Sequence, residues 1–262
     1  MLKRRLIPKL QMKVREIGGM RQPVLVTTVN FARVIEIGDP VSQAKIYEAQ
    51  AADELIFLDL DATSQWRCAM VEVVRKAAEE VFMPFTVGGG VRSLADFRTL
   101  LSNGADKVAL NTAAVLDPTL IRKAADSYGS QCVVLSIDFR REQTGPYLVW
   151  THGGKVKTDW SPAAWALEGQ RLGAGEILLT SIDRDGTRRG LDVELVRQVT
   201  EAVHIPVVAS GGCGLAAHFV EGFQLGKADA VAAGTFFCFK DENPMQTRSQ
   251  IRNAGLPIRI HR

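Results

Sequence analysis

One carboxylate and two glycine turns stand out in the sequence as groups able to do chemistry. Asp138 closes the apolar run CVVLSID. A carboxylate left half-buried at the end of such a run is a candidate general acid or base, because burial raises its pKa toward neutrality. The plain alternative is a charge paired with Arg140 or Arg141. GGGVRS (88–93) and SGGCG (210–214) each set glycines between an apolar run and a helical segment. Backbone N–H groups there can approach an anion, and the dipole of the following helix favours its charge. A single turn of this kind is equally well a tight connection and nothing more. Each turn is followed, one apolar run later, by a small polar pair: Asn111-Thr112 in one case, Gly234-Thr235 in the other. The segment SIDRDGTRRG (181–190) adds Asp183, Asp185, Gly186 and Thr187. Its DxDG core is like the opening of a calcium loop, but the later acidic ligands are missing and Arg188-Arg189 follow. A Gly-Thr lip on an anion site is the expectation, with a solvated turn as the alternative.

These groups need elements to hold them together. Eight short runs rich in Val, Ile and Leu recur along the chain: LIPKL, ELIFLDL, PFTVGG, KVALNT, CVVLSID, EILLTSID, PVVASGG and AVAAGTFF. Between them lie helical segments such as DPVSQAKIYEAQ, MVEVVRKAAEEV, LADFRTLLSNG and DPTLIRKAADSYG, several opening on Asp or Ser near Pro and closing on Gly. That alternation predicts a parallel sheet. The first unit departs from it: after Gln11, the Gly18-Gly19 turn and the alternating run PVLVTTVNF predict a hairpin or lid inserted after strand one.

The chain also repeats itself. PFTVGGGV laid over PVVASGGC pairs Pro84 with Pro206 and Gly89 with Gly211, 122 residues apart, and the same offset pairs Glu54 with Glu176 and Asp61 with Asp183. Two copies of a four-strand unit predict a closed (β/α)8 TIM barrel, a single domain over 1–262 built from half-barrels of approximately 1–125 and 126–245. An open doubly wound sheet predicts no such duplication. In a (β/α)8 barrel, function gathers at the C-terminal ends of the strands, where the two glycine turns would face each other across one mouth. Two anion sites there imply an elongated bisphosphate ligand. Barrel geometry would place a second acid at the end of strand one, across from Asp138; this chain has Gln11, which exchanges no proton near neutral pH.

Composition narrows the classes. With 46% hydrophobic and 23% charged residues the chain is of ordinary globular composition, and no window approaches the length of apolar sequence a membrane span needs. The N-terminal MLKRRLIPKLQMK lacks an apolar secretory core, so a cytoplasmic protein is expected. Cys68, Cys132, Cys213 and Cys238 are widely spaced, which suggests neither a metal site nor a disulfide framework. The net charge of +3 is small, and basic residues cluster only at the ends (Lys3, Arg4, Arg5; Arg259, His261, Arg262). That argues against nucleic acid as a partner.

Over essentially its whole length the sequence resembles the cyclase subunit of imidazole glycerol phosphate synthase from histidine biosynthesis, through DELIFLD, PFTVGGGVRS, GADKVALNTAAV, GSQCVV, GAGEILLTSIDRDGT and ASGGCG. The resemblance implies a barrel without a cofactor. It takes ammonia from a glutaminase subunit docked on its N-terminal face as a heterodimer, and passes that ammonia through the barrel core. The ammonia then cleaves and cyclises a phosphorylated ribonucleotide. It further implies phosphate sites at Gly90, Asn111 and Thr112 on one side and Asp185, Gly186, Gly212, Gly234 and Thr235 on the other. The implied ring of charges at the ammonia entrance is Arg5, Glu54, Lys107 and Glu176, with Asp106 facing the partner.

The departures sit on strand one. The family's motif is similar to IPCLDVK with a catalytic aspartate; here it is IPKLQMK, with Lys9 for the cysteine and Gln11 for the acid. The lysine of the family's first active-site loop is replaced too, in a segment that reads LVTTVNF with Thr27 and Thr28. Loss of one acid–base group typically costs about 10² to 10⁴ in rate. In these changes the chain resembles paralogues found beside surface-polysaccharide genes, which implies ammonia supply to a separate amidotransferase making an amidino sugar. A true cyclase using Asp138 alone, with help from Lys9, is the alternative. The related half-barrel isomerase of the same pathway is a third reading, against which GSQCVV, LLTSIDRDGT and the charge ring weigh.

Overall fold

The computed structural model describes residues 3–65, 67, 69, 71–239 and 242–259. It contains twelve strands: β1 (Arg5–Ile17), β2 (Met20–Val29), β3 (Arg33–Gly38), β4 (Leu55–Asp59), β5 (Phe85–Gly88), β6 (Lys107–Leu110), β7 (Val133–Arg141), β8 (Tyr147–Thr151), β9 (Val156–Lys157), β10 (Glu176–Ser181), β11 (Val207–Ser210) and β12 (Ala230–Ala233). Eight of them pair in parallel in the order β10, β11, β12, β1, β4, β5, β6, β7, and β7 returns to β10, with Glu176 opposite Val134 and Ser181 opposite Phe139. The sheet is therefore a closed (β/α)8 barrel, and its eight strands are the eight apolar runs.

Helices cover the outside. The four helical segments singled out above form Pro40–Ala49, Val71–Glu80, Leu94–Ser102 and Thr119–Tyr128. Their starts follow from side chains able to accept orphan N–H groups: Asp39 accepts from Ser42 ahead of Pro40, and Ser93 from Asp96. No helix among the described residues is long and apolar enough to cross a membrane. Cys132, Cys213 and Cys238 are free; Cys68, His261 and Arg262 lie outside the described residues.

Strand parity sorts the core into two bodies. Side chains alternate across a strand, so in β1 Leu6 and Leu10 pack outward under the helices while Arg5, Ile7, Lys9 and Gln11 point into the barrel. Ile7, Ile56, Ala109, Val134, Leu178, Val208, Ala230 and Ala232 form a separate inner cluster. The outer cluster holds the larger residues, including Phe57, Phe97, Phe139, Trp165 and Phe219. An apolar collar thus lines the barrel interior, with charged residues at its N-terminal end and polar ones at its mouth.

Two hairpins rise from that mouth. The first is the expected one: β1 runs on past the barrel and pairs antiparallel with β2, from Gln11 opposite Val26 to Ile17 opposite Met20, and β2 with β3. The second has no counterpart in the sequence reading. It extends strand five of the barrel, β7, which pairs antiparallel with β8, Asp138 opposite Trp150, and β8 in turn with β9. YLVWT is a continuous apolar run without strict alternation, and its Gly153-Gly154 turn was the signal that could have disclosed it.

Candidate functional site

At the N-terminal end of the barrel four side chains close a ring of ion pairs. Arg5 Nη1 reaches Glu54 Oε1 at 2.8 Å and Arg5 Nη2 reaches Glu176 Oε1 at 2.7 Å; Lys107 Nζ lies 3.0 Å from Glu54 Oε2 and 2.9 Å from Glu176 Oε2. Arg5, Lys107 and Glu176 open their strands and Glu54 directly precedes β4, so the ring follows from the inward parity of the strand starts. Burial alone would raise Glu54, but the Arg5 guanidinium and Lys107 ammonium beside it outweigh that and hold it below its ordinary value of 4.5. Its contribution to stability is therefore present above that value and is lost as the pH falls through the lower folded one. Asp106 is exposed beside this ring and accepts a hydrogen bond from the Phe85 N–H at 2.9 Å.

At the other end, both glycine turns require glycine. Gly90 has φ +65° and a Cβ there would lie 1.9 Å from the Arg67 carbonyl; Gly212 has φ +112° and a Cβ would lie 2.1 Å from the Gly190 carbonyl. In each half the loop from the preceding strand folds back on the turn, through Ala69 N–H to Gly89 O and Gly190 N–H to Gly212 O. Gly90→Ala and Gly212→Ala are each expected to cost about 1–3 kcal/mol through strain that backbone must absorb, measured as a fall in the urea midpoint.

Between the turns lies the acid. Asp138 keeps a partial opening to the mouth, while protein packs around it otherwise. Asn111, on the adjacent strand end, donates to its Oδ2 at 2.9 Å. Burial, with Asp185 nearby, pushes Asp138 up to about 7, against the opposing pull of Lys9 and Asn111. The alternative of an arginine pair does not hold: Arg140 pairs with Asp183 at 3.3 Å, and the Arg141 N–H donates to the same carboxylate. A carboxyl raised in the folded state is a proton sink, so its ionisation destabilises the fold as pH rises from about 4 toward 7. Asp138→Asn should therefore raise the melting temperature progressively over that interval, with little effect at acid pH; a pH-independent difference would contradict this.

Across the mouth, Gln11 is buried and its Nε2 donates to Thr28 Oγ1 at 3.1 Å. Thr28 in turn donates to Asp185 Oδ2. Further along the hairpin, Asn30 donates through its side chain to the carbonyls of Ile182 and Asp183, and through its N–H to that of Asp185. The hairpin is thus clasped over the loop that follows β10. Neither Thr28 nor Asn30 was singled out in this clasp from the sequence, because the contacts span more than 150 residues of chain.

Several expected anion ligands have other partners. Asn111 holds Asp138. Thr112 accepts from the His152 N–H at 3.0 Å and its hydroxyl donates to Asn111 Oδ1 at 3.4 Å. The Asp185 side chain faces inward to Thr28 and Lys9, its N–H donates to the Ser181 carbonyl, and burial raises its pKa; no donor of Asp185 is turned to the rim. The Thr187 hydroxyl bonds back to the Arg184 carbonyl at 2.7 Å, so the Gly-Thr lip contributes no free hydroxyl. Gly186, Gly212, Gly234 and Thr235 do come together, lining a cleft of about 10 Å³ with Lys9, Ser210 and Gly211. Among the described residues no group of three or more His, Cys, Asp or Glu could hold a metal ion.

A closed barrel with an ion-paired ring at one end, an apolar collar, and a mouth bearing an acid of raised pKa between two glycine turns defines the (β/α)8 class, whose functional groups gather at the C-terminal strand ends. Comparison with known proteins resolves it further. The family model described as histidine biosynthesis protein matches residues 18–242. The chain is 54% identical over 260 residues, covering 99% of both chains, to a Prochlorococcus marinus (strain MIT 9313) protein provisionally named imidazole glycerol phosphate synthase subunit hisF2. It is 48% identical to imidazole glycerol phosphate synthase subunit HisF of Geobacillus kaustophilus (strain HTA426) and 45% identical to that of Bacillus subtilis (strain 168), in both cases over 99% of this chain and 100% of the relative. The chain belongs to the histidine-biosynthesis barrel family, among the cyclase subunits of imidazole glycerol phosphate synthase.

Proposed function

We propose that this barrel receives ammonia from a glutaminase subunit on its N-terminal face and delivers it at the mouth to a separate amidotransferase that makes an amidino sugar of surface polysaccharide. The observation that carries this reading is Gln11. It stands where the family has its first catalytic acid, and its amide is engaged with Thr28 in clasping the hairpin. The entrance side supports the glutaminase: the ring of Arg5, Glu54, Lys107 and Glu176 surrounds the way in, and Phe82, 87% exposed, lies on the same side as Asp106. The apolar collar suits a small neutral molecule better than an ion, since burying an unpaired charge there is costly.

The second reading is a true cyclase that forms imidazole glycerol phosphate and the purine precursor with Asp138 as its acid–base group. The raised pKa of Asp138, about 7, favours it. Complementation separates the two. The chain is expected to fail to restore normal growth to a histidine auxotroph lacking its cyclase subunit, and to copurify with and stimulate a glutaminase. Full rescue would overturn the ammonia-supplying reading.

A further inference from the structure

Lys9 is a buried cation at the mouth with no hydrogen-bond acceptor of its own among the described residues. It is 4% exposed, and its ammonium has one charged neighbour at salt-bridge distance, Asp185 Oδ1 at 3.8 Å. That separation is too long for a hydrogen bond. An ammonium carries three donors, and among the described residues none of Lys9's donors meets an acceptor at hydrogen-bond distance. Ser210, on β11 and 3% exposed, is in the same condition: its Oγ is buried without a hydrogen-bond partner. Both residues line the cleft under Gly211, Gly212 and Gly234. A buried hydroxyl without a partner, beside an ammonium whose donors open onto the same cleft, calls for a polar ligand.

We propose that Lys9 and Ser210 form the floor of the second anion site and together hold one oxygen of a phosphate monoester whose remaining oxygens meet the glycine turns above. The chamber, about 10 Å³, has room for a single oxygen-sized atom, so the bulk of the group stays at the rim. Arg184 and Arg188 lie next to the glycine turn through their Cβ atoms, while the Arg184 guanidinium donates to the Arg189 carbonyl at 3.4 Å and that of Arg188 lies over the Phe239 ring. The opposing charges are Asp138 and Asp185. Burial raises both, which limits the repulsion they exert on an anion. Lys9 stands at the position where the family motif has cysteine, so this chain adds a cation to a site otherwise built from backbone N–H groups.

The proposal rests on the rim being an anion site and is independent of where the ammonia goes. Inorganic phosphate, titrated into the purified full chain and followed by isothermal titration calorimetry and ³¹P line broadening, tests it. Lys9→Met should weaken binding by about ten- to a hundredfold, the range that a hydrogen bond to a charged group supplies. Ser210→Ala should weaken it by about two- to tenfold, as for a neutral hydrogen bond. Lys9→Arg, which keeps the charge, should retain most of the affinity, and a comparison of melting temperatures excludes misfolding as the cause. Unchanged phosphate affinity in Lys9→Met and Ser210→Ala would overturn the proposal, as would a wild-type chain that binds no phosphate. Rescue of a histidine auxotroph would remove the ammonia-supplying reading and leave this result standing.

Discussion

Gln11→Asp is expected to raise the ring-forming turnover of the purified chain, with ammonium as nitrogen source, by about 10² or more, the lower bound of what one acid–base group contributes. The reason is geometric. Gln11 ends the inward row of β1 and Asp138 that of β7, strands one and five of the barrel, so the substitution restores two carboxyls facing each other over one mouth. Burial has already brought Asp138 to about 7, where a second acid can take the complementary protonation state. The hairpin loses the amide's bond to Thr28, whose one proton stays on Asp185, but Asn30 still ties it to the carbonyls of Ile182, Asp183 and Asp185. An increase below about tenfold would mean that the missing acid is not the main deficit, and that Lys9 and the threonines of the hairpin are more important.

The second large effect is at the entrance. Arg5→Ala should destabilise the fold by about 2–4 kcal/mol, because it strands two nearly buried carboxylates that then share Lys107 alone. Glu54 and Glu176 have side chains 10% and 7% exposed, so water compensates little. The penalty should shrink as the pH falls below the ordinary carboxylate value of 4.5, because the arginine no longer has a charge on Glu54 to hold. Urea midpoints at neutral and acid pH measure both. A loss below about 0.5 kcal/mol would place the ring among ordinary surface pairs. In the complex with a glutaminase, the same variant should loosen the coupling between glutamine hydrolysis and ammonia delivery.

The barrel was legible because each inward- and outward-facing strand is apolar on both faces and so appears as an unbroken run, and because the chain repeats its glycine turns at a fixed distance. The charge ring was legible only through the family resemblance: the repeat that superposes Gly89 on Gly211 also superposes Glu54 on Glu176, but it singles out neither Arg5 nor Lys107. The mouth was less so. Asn111 reads as an anion ligand from its place after a strand, yet adjacency of β6 and β7 sets its amide on Asp138. Asp185 reads as part of a phosphate lip, yet the hairpin following strand one reaches over and turns its side chain inward through Thr28. Such assignments depend on which strand ends become neighbours and which loop folds over them, and local sequence carries neither. Ser210 carries no signal of its own; only its inward parity on β11 and its lack of a partner single it out.

A barrel that keeps a charged entrance and an anion-binding mouth but lacks half of its acid–base pair should be a slow cyclase. Turnover of the family's ribonucleotide substrate with ammonium, measured side by side for this chain and its Bacillus subtilis relative, tests this most directly. Ring formation is expected to be at least about 10²-fold slower in this chain. A rate within about tenfold of the relative would show that Asp138 suffices without a partner on strand one, and would contradict it.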